Sequence, residues 1–242
     1  MEVEFTDLGE CSYEKALEIQ RREFDARVAM HFDKGNKESA GRIFFVEHSP
    51  VYTLGKNAKH SNVLVSQQRL LSMGASLFET DRGGDVTFHG PGQIVAYPIL
   101  DLDMLGIGLR RYIELLEQSV MNTLSEYGIE THRENGATGV WIGKLNDARD
   151  PLRKICAIGV KASHFVTMHG LAFNVSTDLG WFSMINPCGF TDRGITSLEK
   201  ELGHKTDFKK VKRRLLHHLT ALLSVTVKEV SDYEKNKKNI YK

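Results

Sequence analysis

Apolar residues recur at helical spacing in three separated stretches, and short runs rich in β-branched and aromatic residues fill the sequence between them. The helical stretches cover residues 13–28, 112–127 and 208–222. The runs typical of strands cover residues 42–47, 51–54, 76–79, 85–88, 94–100, 139–142, 155–162 and 171–175. Helices spaced between groups of strands predict an α/β (α+β) fold with a mixed central β-sheet flanked by helices.

The length of 242 residues and the absence of repeats or a Pro/Ser/Gly-rich linker favour a single domain over residues 1–242, with a core over roughly 40–225. The charged stretch 146–153 predicts an exposed hairpin loop, and residues 200–242 predict a helix and a strand at the C-terminal end. A net charge of +1 gives no indication of a nucleic-acid partner. We therefore expect no nucleic-acid partner, and a monomer is the default expectation for the oligomeric state.

No stretch approaches the roughly 18 consecutive apolar residues of a membrane span, and the first ten residues lack the pattern of a signal peptide. The three cysteines, Cys11, Cys156 and Cys188, match neither a zinc nor a disulfide spacing, so we expect reduced thiols. The ten histidines show no ligand spacing either. These features predict a cytoplasmic protein with no metal, no cofactor and no membrane association.

The glycine-rich segment 81–93 places charged and polar side chains on both sides of a bend. Paired Gly83 and Gly84 let the backbone pass close to a ligand or adopt positive φ. Arg82 and His89 flank the pair, and Gly-Pro-Gly follows, so both side chains are candidates for one cleft. A solvated glycine hairpin without function is the alternative.

A second segment, 153–161, places Lys154 at the start of an otherwise apolar predicted strand. Lys154 and Cys156 are two residues apart, which predicts that they share one face. Burial would make Lys154 a candidate for proton transfer. In the alternative interpretation Lys154 reaches water at the end of the loop. Lys161, on the opposite predicted face, is the competing lysine.

A third segment brings His169 and Cys188 into consideration. Pro187 and Gly189 flank Cys188, which predicts a sharp bend that exposes the thiol. Most free cysteines are small buried hydrophobic residues, and this alternative holds for Cys11 and Cys156. A reactive thiolate requires a nearby cation or base, for which Lys154, His169 and His89 are the candidates.

Four motifs in this order resemble the lipoate-protein octanoyltransferases. They are Arg-Gly-Gly-x-x-Thr-x-His-Gly-Pro-Gly-Gln at 82–93, Lys-Ile-Cys with a following Gly at 154–159, His-Gly-Leu-Ala at 169–172 and Asn-Pro-Cys-Gly at 186–189. Glu47-His48 with Val51-Tyr52-Thr53 and Gly55 resembles an early strand pair of the same family. The resemblance extends from about Arg42 to Cys188 and on into the last predicted helix.

The resemblance implies the fold of the biotin and lipoate protein ligase catalytic domains and an acyltransferase reaction. An octanoyl group would pass from octanoyl-acyl carrier protein, through a thioester on Cys188, to a lysine of a lipoyl domain. The acceptors would be proteins such as 2-oxoacid dehydrogenase E2 subunits or glycine cleavage H protein. The family's catalytic lysine falls on Lys154. Its substrate-binding positions fall on Arg82, Gly83, Gly84, Asp85, Val86, Thr87, Phe88, His89, Ala157, Ile158, Gly159, Gly170, Leu171 and Ala172.

The loop 145–153 is longer and more charged than the short turn usual in that family, and Lys161 stands where arginine is common. Three other functions are compatible with parts of the pattern. An ATP-dependent lipoate or biotin ligase would need no nucleophilic cysteine. A cysteine hydrolase would use Cys188 with His169 as its base, and a silent module would only bind acyl carrier protein. Retention of both Lys154 and Cys188 favours the transferase.

Overall fold

The computed structural model describes residues 1–33, 39–186 and 193–230. Cys188 and the predicted bend around it lie outside these residues. The described chain contains twelve β-strands, listed here in chain order: β1 (Glu2–Cys11), β2 (Ser39–His48), β3 (Val51–Leu54), β4 (Ser76–Glu79), β5 (Val86–His89), β6 (Gln93–Leu100), β7 (His132–Glu134), β8 (Ala137–Ile142), β9 (Arg153–Ser163), β10 (Val166–Asn174), β11 (Gly194–Ile195) and β12 (Thr226–Glu229).

Five α-helices accompany these strands in the described chain: α1 (Tyr13–Phe32), α2 (Gln67–Ser72), α3 (Leu109–Ser125), α4 (Leu198–Leu202) and α5 (Phe208–Leu223). Helix α1 begins after Ser12, whose hydroxyl accepts a hydrogen bond from the N–H of Lys15. Helix α5 begins after Asp207, which caps the N–H of Lys210 in the same way. No helix among these residues is both long enough and apolar enough to cross a lipid bilayer.

Nine strands form one mixed sheet in the order β12-β1-β2-β6-β10-β9-β8-β7, with β11 pairing parallel to the start of β9. The pairs of β1 with β2 and with β12 are parallel, whereas β6, β10, β9 and β8 follow one another antiparallel. A separate three-stranded sheet has the order β4-β3-β5. The large mixed sheet agrees with the sequence prediction, which did not include the second sheet.

The large sheet is covered on both faces, as the alternation along β2 shows. Ile43 and Phe45 point into one core together with buried residues of α3 and α5. Phe44 and Val46 point into the other core, where they meet α1. Because side chains alternate across a strand, a run of buried residues in β2 supplies both cores at once. The three predicted helices, and a mixed central sheet flanked by helices, are confirmed.

The structure also differs from the sequence predictions in one edge of the large sheet and in the register of β9. Strand β1 was not predicted, and it occupies the position between β2 and β12. The predicted sharing of one face by Lys154 and Cys156 is wrong. The pairing of β8 with β9 shifts register between Val140 and Trp141, so that Ile155 is an extra residue in a bulge. Ile155 and Cys156 both lie in the core under α3, whereas Lys154 lines a cavity.

Candidate active site

A cavity of about 500 Å³ lies between the glycine bend that precedes β5, the middle of β9 and β10, and the first turn of α3. Its volume falls in the range of about 300–1,000 Å³ that is usual for small-molecule sites. Lys154 lines it, as do thirteen of the fourteen predicted substrate-binding residues: Arg82, Gly83, Gly84, Asp85, Val86, Thr87, His89, Ala157, Ile158, Gly159, Gly170, Leu171 and Ala172.

Phe88 is the predicted residue that does not line the cavity. It is fully buried in the small core of the second sheet, where its ring stacks on Trp181 at a centroid distance of 5.2 Å. Its neighbours Thr87 and His89 line the cavity because side chains alternate along β5. The structure therefore gives Phe88 a packing position behind the cavity wall.

Arg82 holds the glycine bend together from inside. Its guanidinium donates to both the hydroxyl and the carbonyl oxygen of Thr53, and to the carbonyl oxygens of Gly83 and Asp85, at 2.7–3.2 Å. The side chain is 8% exposed. These hydrogen bonds join the second sheet to the glycine bend and fix the backbone that faces the cavity.

His89 belongs to a chain of buried hydrogen bonds behind the cavity. The amide nitrogen of Gln93 donates to the oxygens of Phe88 and Asn174, so its oxygen accepts from Nδ1 of His89 at 2.8 Å. Asn174 in turn donates to the carbonyl oxygen of Thr196, just after β11. Burial lowers the pKa of His89 to about 3, so the imidazole is neutral at pH 7.

His48 is a second neutral imidazole close to His89. Its Nδ1 donates to the carbonyl oxygen of Cys11 at 2.8 Å, so its Nε2 accepts from the hydroxyl of Tyr97 at 2.7 Å. Burial lowers the pKa of His48 to about 4. Tyr97 and the neighbouring Tyr13 line the cavity, and burial raises the pKa of Tyr13 to about 12. This end of the cavity therefore carries no net charge from these side chains at pH 7.

His169 lines the cavity from β10 with a backbone φ of +62°, a conformation that costs energy for a residue with a side chain. Burial lowers its pKa, although the adjacent carboxylate of Asp81 opposes this shift. Lys161 also pairs with Asp81, through Nζ at 2.7 Å, and is not among the residues that line the cavity. The structure thus separates the two lysines, since Lys154 lies at the cavity and Lys161 in an ion pair.

Lys154 reaches the cavity wall beside β8. Its ammonium group donates to the carbonyl oxygen of Thr138 at 3.1 Å. Cys156 is fully buried, and burial raises the pKa of its thiol, which keeps it unreactive at pH 7. Ile195, on β11, pairs with Lys154 in register. The chain that carries Cys188 leads into β11.

Two glycines face each other across β9 and β10 in the cavity wall, Gly159 and Gly170. A Cβ on Gly159 would lie 2.7 Å from the carbonyl oxygen of Gly83, so only glycine lets the bend approach β9 this closely. Leu171 has strand partners on both sides, Ala96 and Ile158. Its N–H is therefore directed into the ladder and is not free to bind a group in the cavity.

Residues 15–220 match the lipoyl protein ligase A/B catalytic domain family. The chain belongs to this family. One relative is the octanoyltransferase of Bacteroides fragilis. It is 49% identical over 218 residues, which make up 90% of this chain and 96% of the relative. The octanoyltransferase of Flavobacterium johnsoniae is 44% identical over 230 residues, which is 93% of this chain and 98% of the relative.

Solved structures share the fold of this lipoyl protein ligase A/B catalytic domain at low sequence identity. A lipoate-protein ligase A bound with ATP superposes with a TM-score of 0.70 and 17% identity, covering 99% of this chain and 93% of that one. A bipartite lipoate protein ligase from Thermoplasma acidophilum gives 0.67 and 14%, covering 99% and 91%. These likenesses concern the fold alone.

The sequence did not predict several of the residues that line the cavity. Tyr13 comes from α1, Ile113 from α3 and Trp141 from β8, so none of them is near a glycine motif. Asn174 carried a usable signal, because an amide in the middle of an apolar predicted strand requires a buried partner. The aromatic residues carried none, since buried aromatic side chains are common in any core.

Proposed function

We propose that this chain is an octanoyltransferase. It would take an octanoyl group from octanoyl-acyl carrier protein, carry it as a thioester on Cys188, and transfer it to the ε-amine of a lysine on lipoyl-domain proteins. The main support is a cavity that has Lys154 in its wall. The chain is also closely related to enzymes named octanoyltransferase. Lipoyl domains of 2-oxoacid dehydrogenase E2 subunits and glycine cleavage H protein are the proposed acceptors.

The shape and polarity of the cavity support a medium acyl chain as the transferred group. Val86, Val95, Leu171 and Ala172 are buried apolar residues of its wall. Burial of an eight-carbon chain at about 0.8 kcal/mol per methylene contributes roughly 5 kcal/mol of attraction, which an acetyl group cannot supply. His89 lines the same wall and is neutral at pH 7, so it adds no charge beside these residues.

In the first half-reaction the thiolate of Cys188 attacks the carbonyl carbon of the donor thioester. Lys154 takes the thiol proton, and the resulting ammonium returns it to the sulfur of the departing carrier as the carbon–sulfur bond breaks. A thiol and a thioester exchange at nearly equal free energy, so this step needs no ATP. The acyl group is then bonded to Cys188 and the carrier leaves as a free thiol.

In the second half-reaction the acceptor lysine attacks the same carbonyl carbon. Lys154 removes a proton from the attacking amine and passes it to the sulfur of Cys188, which leaves as the acceptor's amide bond forms. An amide is more stable than a thioester, so this step drives the transfer. The carrier leaves before the acceptor reacts, which predicts ping-pong kinetics.

The test is intact-mass spectrometry of the protein mixed with octanoyl-acyl carrier protein, without ATP. We expect one octanoyl group on the wild type, none on Cys188→Ala, and an unchanged adduct on Cys11→Ala, the matched cysteine control. Addition of a lipoyl domain should discharge the adduct. Octanoyl transfer that continues undiminished in Cys188→Ala, or that requires ATP and free octanoate, would overturn the proposal in favour of a ligase.

The role of Lys154 is tested separately with Lys154→Arg and Lys154→Met. Arginine keeps the positive charge but does not give up its proton, so neither variant can act as the proton carrier. We expect both to form the acyl-enzyme about 10²–10⁴-fold more slowly than the wild type. Normal rates in Lys154→Arg would show that the charge suffices and would remove the proton-transfer role.

A further inference from the structure

The indole of Trp141 lies directly beside Lys154 and is itself held rigidly. The two residues are register partners on β8 and β9, and the ammonium nitrogen of Lys154 is 4.6 Å from the centroid of the Trp141 ring. Trp141 is 2% exposed and packs with Ala137 and Leu152. Its Nε1 donates to the carbonyl oxygen of Ala137 at 2.8 Å. The ring face therefore has a fixed orientation towards the lysine.

The backbone next to Trp141 shapes the path of the lysine side chain. Gly139 has a φ of +131°, and a Cβ at this position would lie 3.3 Å from Cε of Lys154. The methylene stem can therefore run across Gly139 before the ammonium group reaches the carbonyl oxygen of Thr138. One carbonyl oxygen and one aromatic face meet the same ammonium group, and both favour its charged form.

Arg193, the residue before β11, contacts the same ring. Its guanidinium carbon is 5.5 Å from the centroid of Trp141. Arg193 is the first described residue after the segment that contains Cys188. The ring is thus a common contact of Lys154 and of the chain that leads out of the proposed nucleophile's segment.

We propose that Trp141 is the positioning residue for Lys154, acting through its ring face, which holds the ammonium group at the cavity wall. This inference rests on the proposed role of Lys154 in proton transfer. The reacting pair of Lys154 and Cys188 shares one proton. A ring face that favours the ammonium form of Lys154 raises the pKa at which Lys154 and Cys188 together lose this proton.

Other charged or titratable groups act in the same region from the neighbouring elements. Glu117 of α3 accepts the N–H of Gly139 and pairs with Arg133 of β7. Four further titratable residues lie next to the pair. His132 is the strand partner of Trp141, Arg193 contacts its ring, and Arg153 and Cys156 are neighbours of Lys154 on β9. Arg153 is neutralised by Glu201 and Asp150. Of the groups named here, Arg193 contacts the ring itself and loses that contact when Trp141 is substituted by an aliphatic residue, whereas a phenylalanine keeps an aromatic face for it; the others keep their own partners.

The test compares Trp141→Phe with Trp141→Leu. Both lose the indole hydrogen bond to Ala137 and part of the side-chain volume, but only phenylalanine keeps an aromatic face. Trace labelling with acetic anhydride over a pH series, read by peptide mass spectrometry, gives the midpoint pH at which the amine of Lys154 becomes reactive. The exposed Lys209 and Lys210 serve as internal references.

We expect the midpoint for Lys154 to fall by about half a pH unit or more in Trp141→Leu, and by clearly less in Trp141→Phe. Trp141→Met takes the place of the leucine variant if that variant does not fold. Equal shifts in the phenylalanine and aliphatic variants, or none in either, would overturn the proposal and leave Trp141 as packing. The labelling needs no acyl transfer, so its outcome is independent of whether the proposed reaction occurs.

A second measurement joins the inference to the reaction. The alkaline limb of the pH–rate profile of acyl-enzyme formation should move to lower pH in Trp141→Leu and be largely restored in Trp141→Phe. A uniform loss of rate at all pH values, with an unmoved limb, would contradict the positioning role. Complete absence of acyl-enzyme in the wild type would instead remove the proposed function and leave the labelling result standing.

Discussion

His169 donates from Nε2 to Oδ1 of Asp81 at 2.8 Å, across 88 positions of sequence. This hydrogen bond is the main reason that the pKa of Asp81 lies well below its usual range, and Lys161 adds to the effect. The contact ties β10 to the residue before Arg82, where the glycine bend begins. It also holds His169 in its left-handed backbone conformation, which needs support from the surroundings.

Asp81→Asn should therefore destabilise the protein in a pH-dependent way. The carboxyl group binds a proton less readily in the folded than in the unfolded chain, so its contribution is present above about pH 4 and is lost as the pH falls below that value. We expect the melting temperature of Asp81→Asn to be below that of the wild type at pH 7, with a gap that begins to narrow as the pH falls below 4. Thermal unfolding at several pH values measures this.

Asp25→Asn is the matched control for that experiment, because Asp25 is exposed on α1. Its melting temperature should follow that of the wild type at every pH. A gap between Asp81→Asn and the wild type that stays constant from pH 7 to pH 3 would show that the carboxylate's charge contributes nothing and that only its shape matters.

The buried neutral state of His48 predicts a second pH dependence. Its pKa is lowered to about 4, so between pH 6.5 and 4 the unfolded chain gains a proton that the folded chain does not. The stability contribution is present above pH 6.5 and is lost as the pH falls. The wild type should lose about 2 kcal/mol of its free energy of unfolding between pH 7 and pH 5 because of His48, and His48→Gln should not show this loss when measured by urea unfolding. His204→Gln, an exposed control, should leave the slope unchanged; a wild-type slope in His48→Gln would contradict the assignment.

The sequence predicted most of the fold because the periodicity of its apolar residues is strong. The three helices and the strand runs follow directly from side-chain alternation and helical spacing. Strand β1 was not predicted because the alternation of acidic and apolar residues at its start breaks down from Asp7 to Gly9, and a short alternation does not show which strand it pairs with. The bulge at Ile155 also escaped, since one extra residue in a strand leaves the composition unchanged and reverses the faces that follow.

The candidate site was predictable where glycine had a physical reason to be present. The bend at Gly83 and Gly84 and the opposing Gly159 and Gly170 were all identified from their motifs. The contact of Asp81 with His169 was not, because ion pairs between distant segments depend on tertiary packing. Trp141 was missed for the same reason, since its importance lies in the orientation of its ring towards Lys154.

Gly159→Ala tests the close approach of the bend to β9. A methyl group at this position would lie 2.7 Å from the carbonyl oxygen of Gly83, so the bend must move away from the strand. We expect a folded protein with a raised KM for the acyl donor, because the shape of the cavity changes. Gly108→Ala has open space around the new methyl group and should retain the wild-type KM. Equal KM values for the two variants would show that the bend does not contribute to binding.

Arg82→Lys should damage the bend although the charge is kept. A single ammonium group cannot reach the oxygens of Thr53, Gly83 and Asp85 together, so buried carbonyl groups lose their partners, at about 1–3 kcal/mol each. We expect a lower melting temperature and an acyl-enzyme formation rate reduced about tenfold or more. Thr53→Val removes only the hydroxyl that accepts from Arg82 and leaves the three carbonyl acceptors in place, so it should give a smaller effect of the same kind. Arg69→Lys, at an exposed position of α2, should behave as wild type. If Arg82→Lys matched Arg69→Lys in both measurements, the positive charge of Arg82 alone would matter and its forked hydrogen bonds would not.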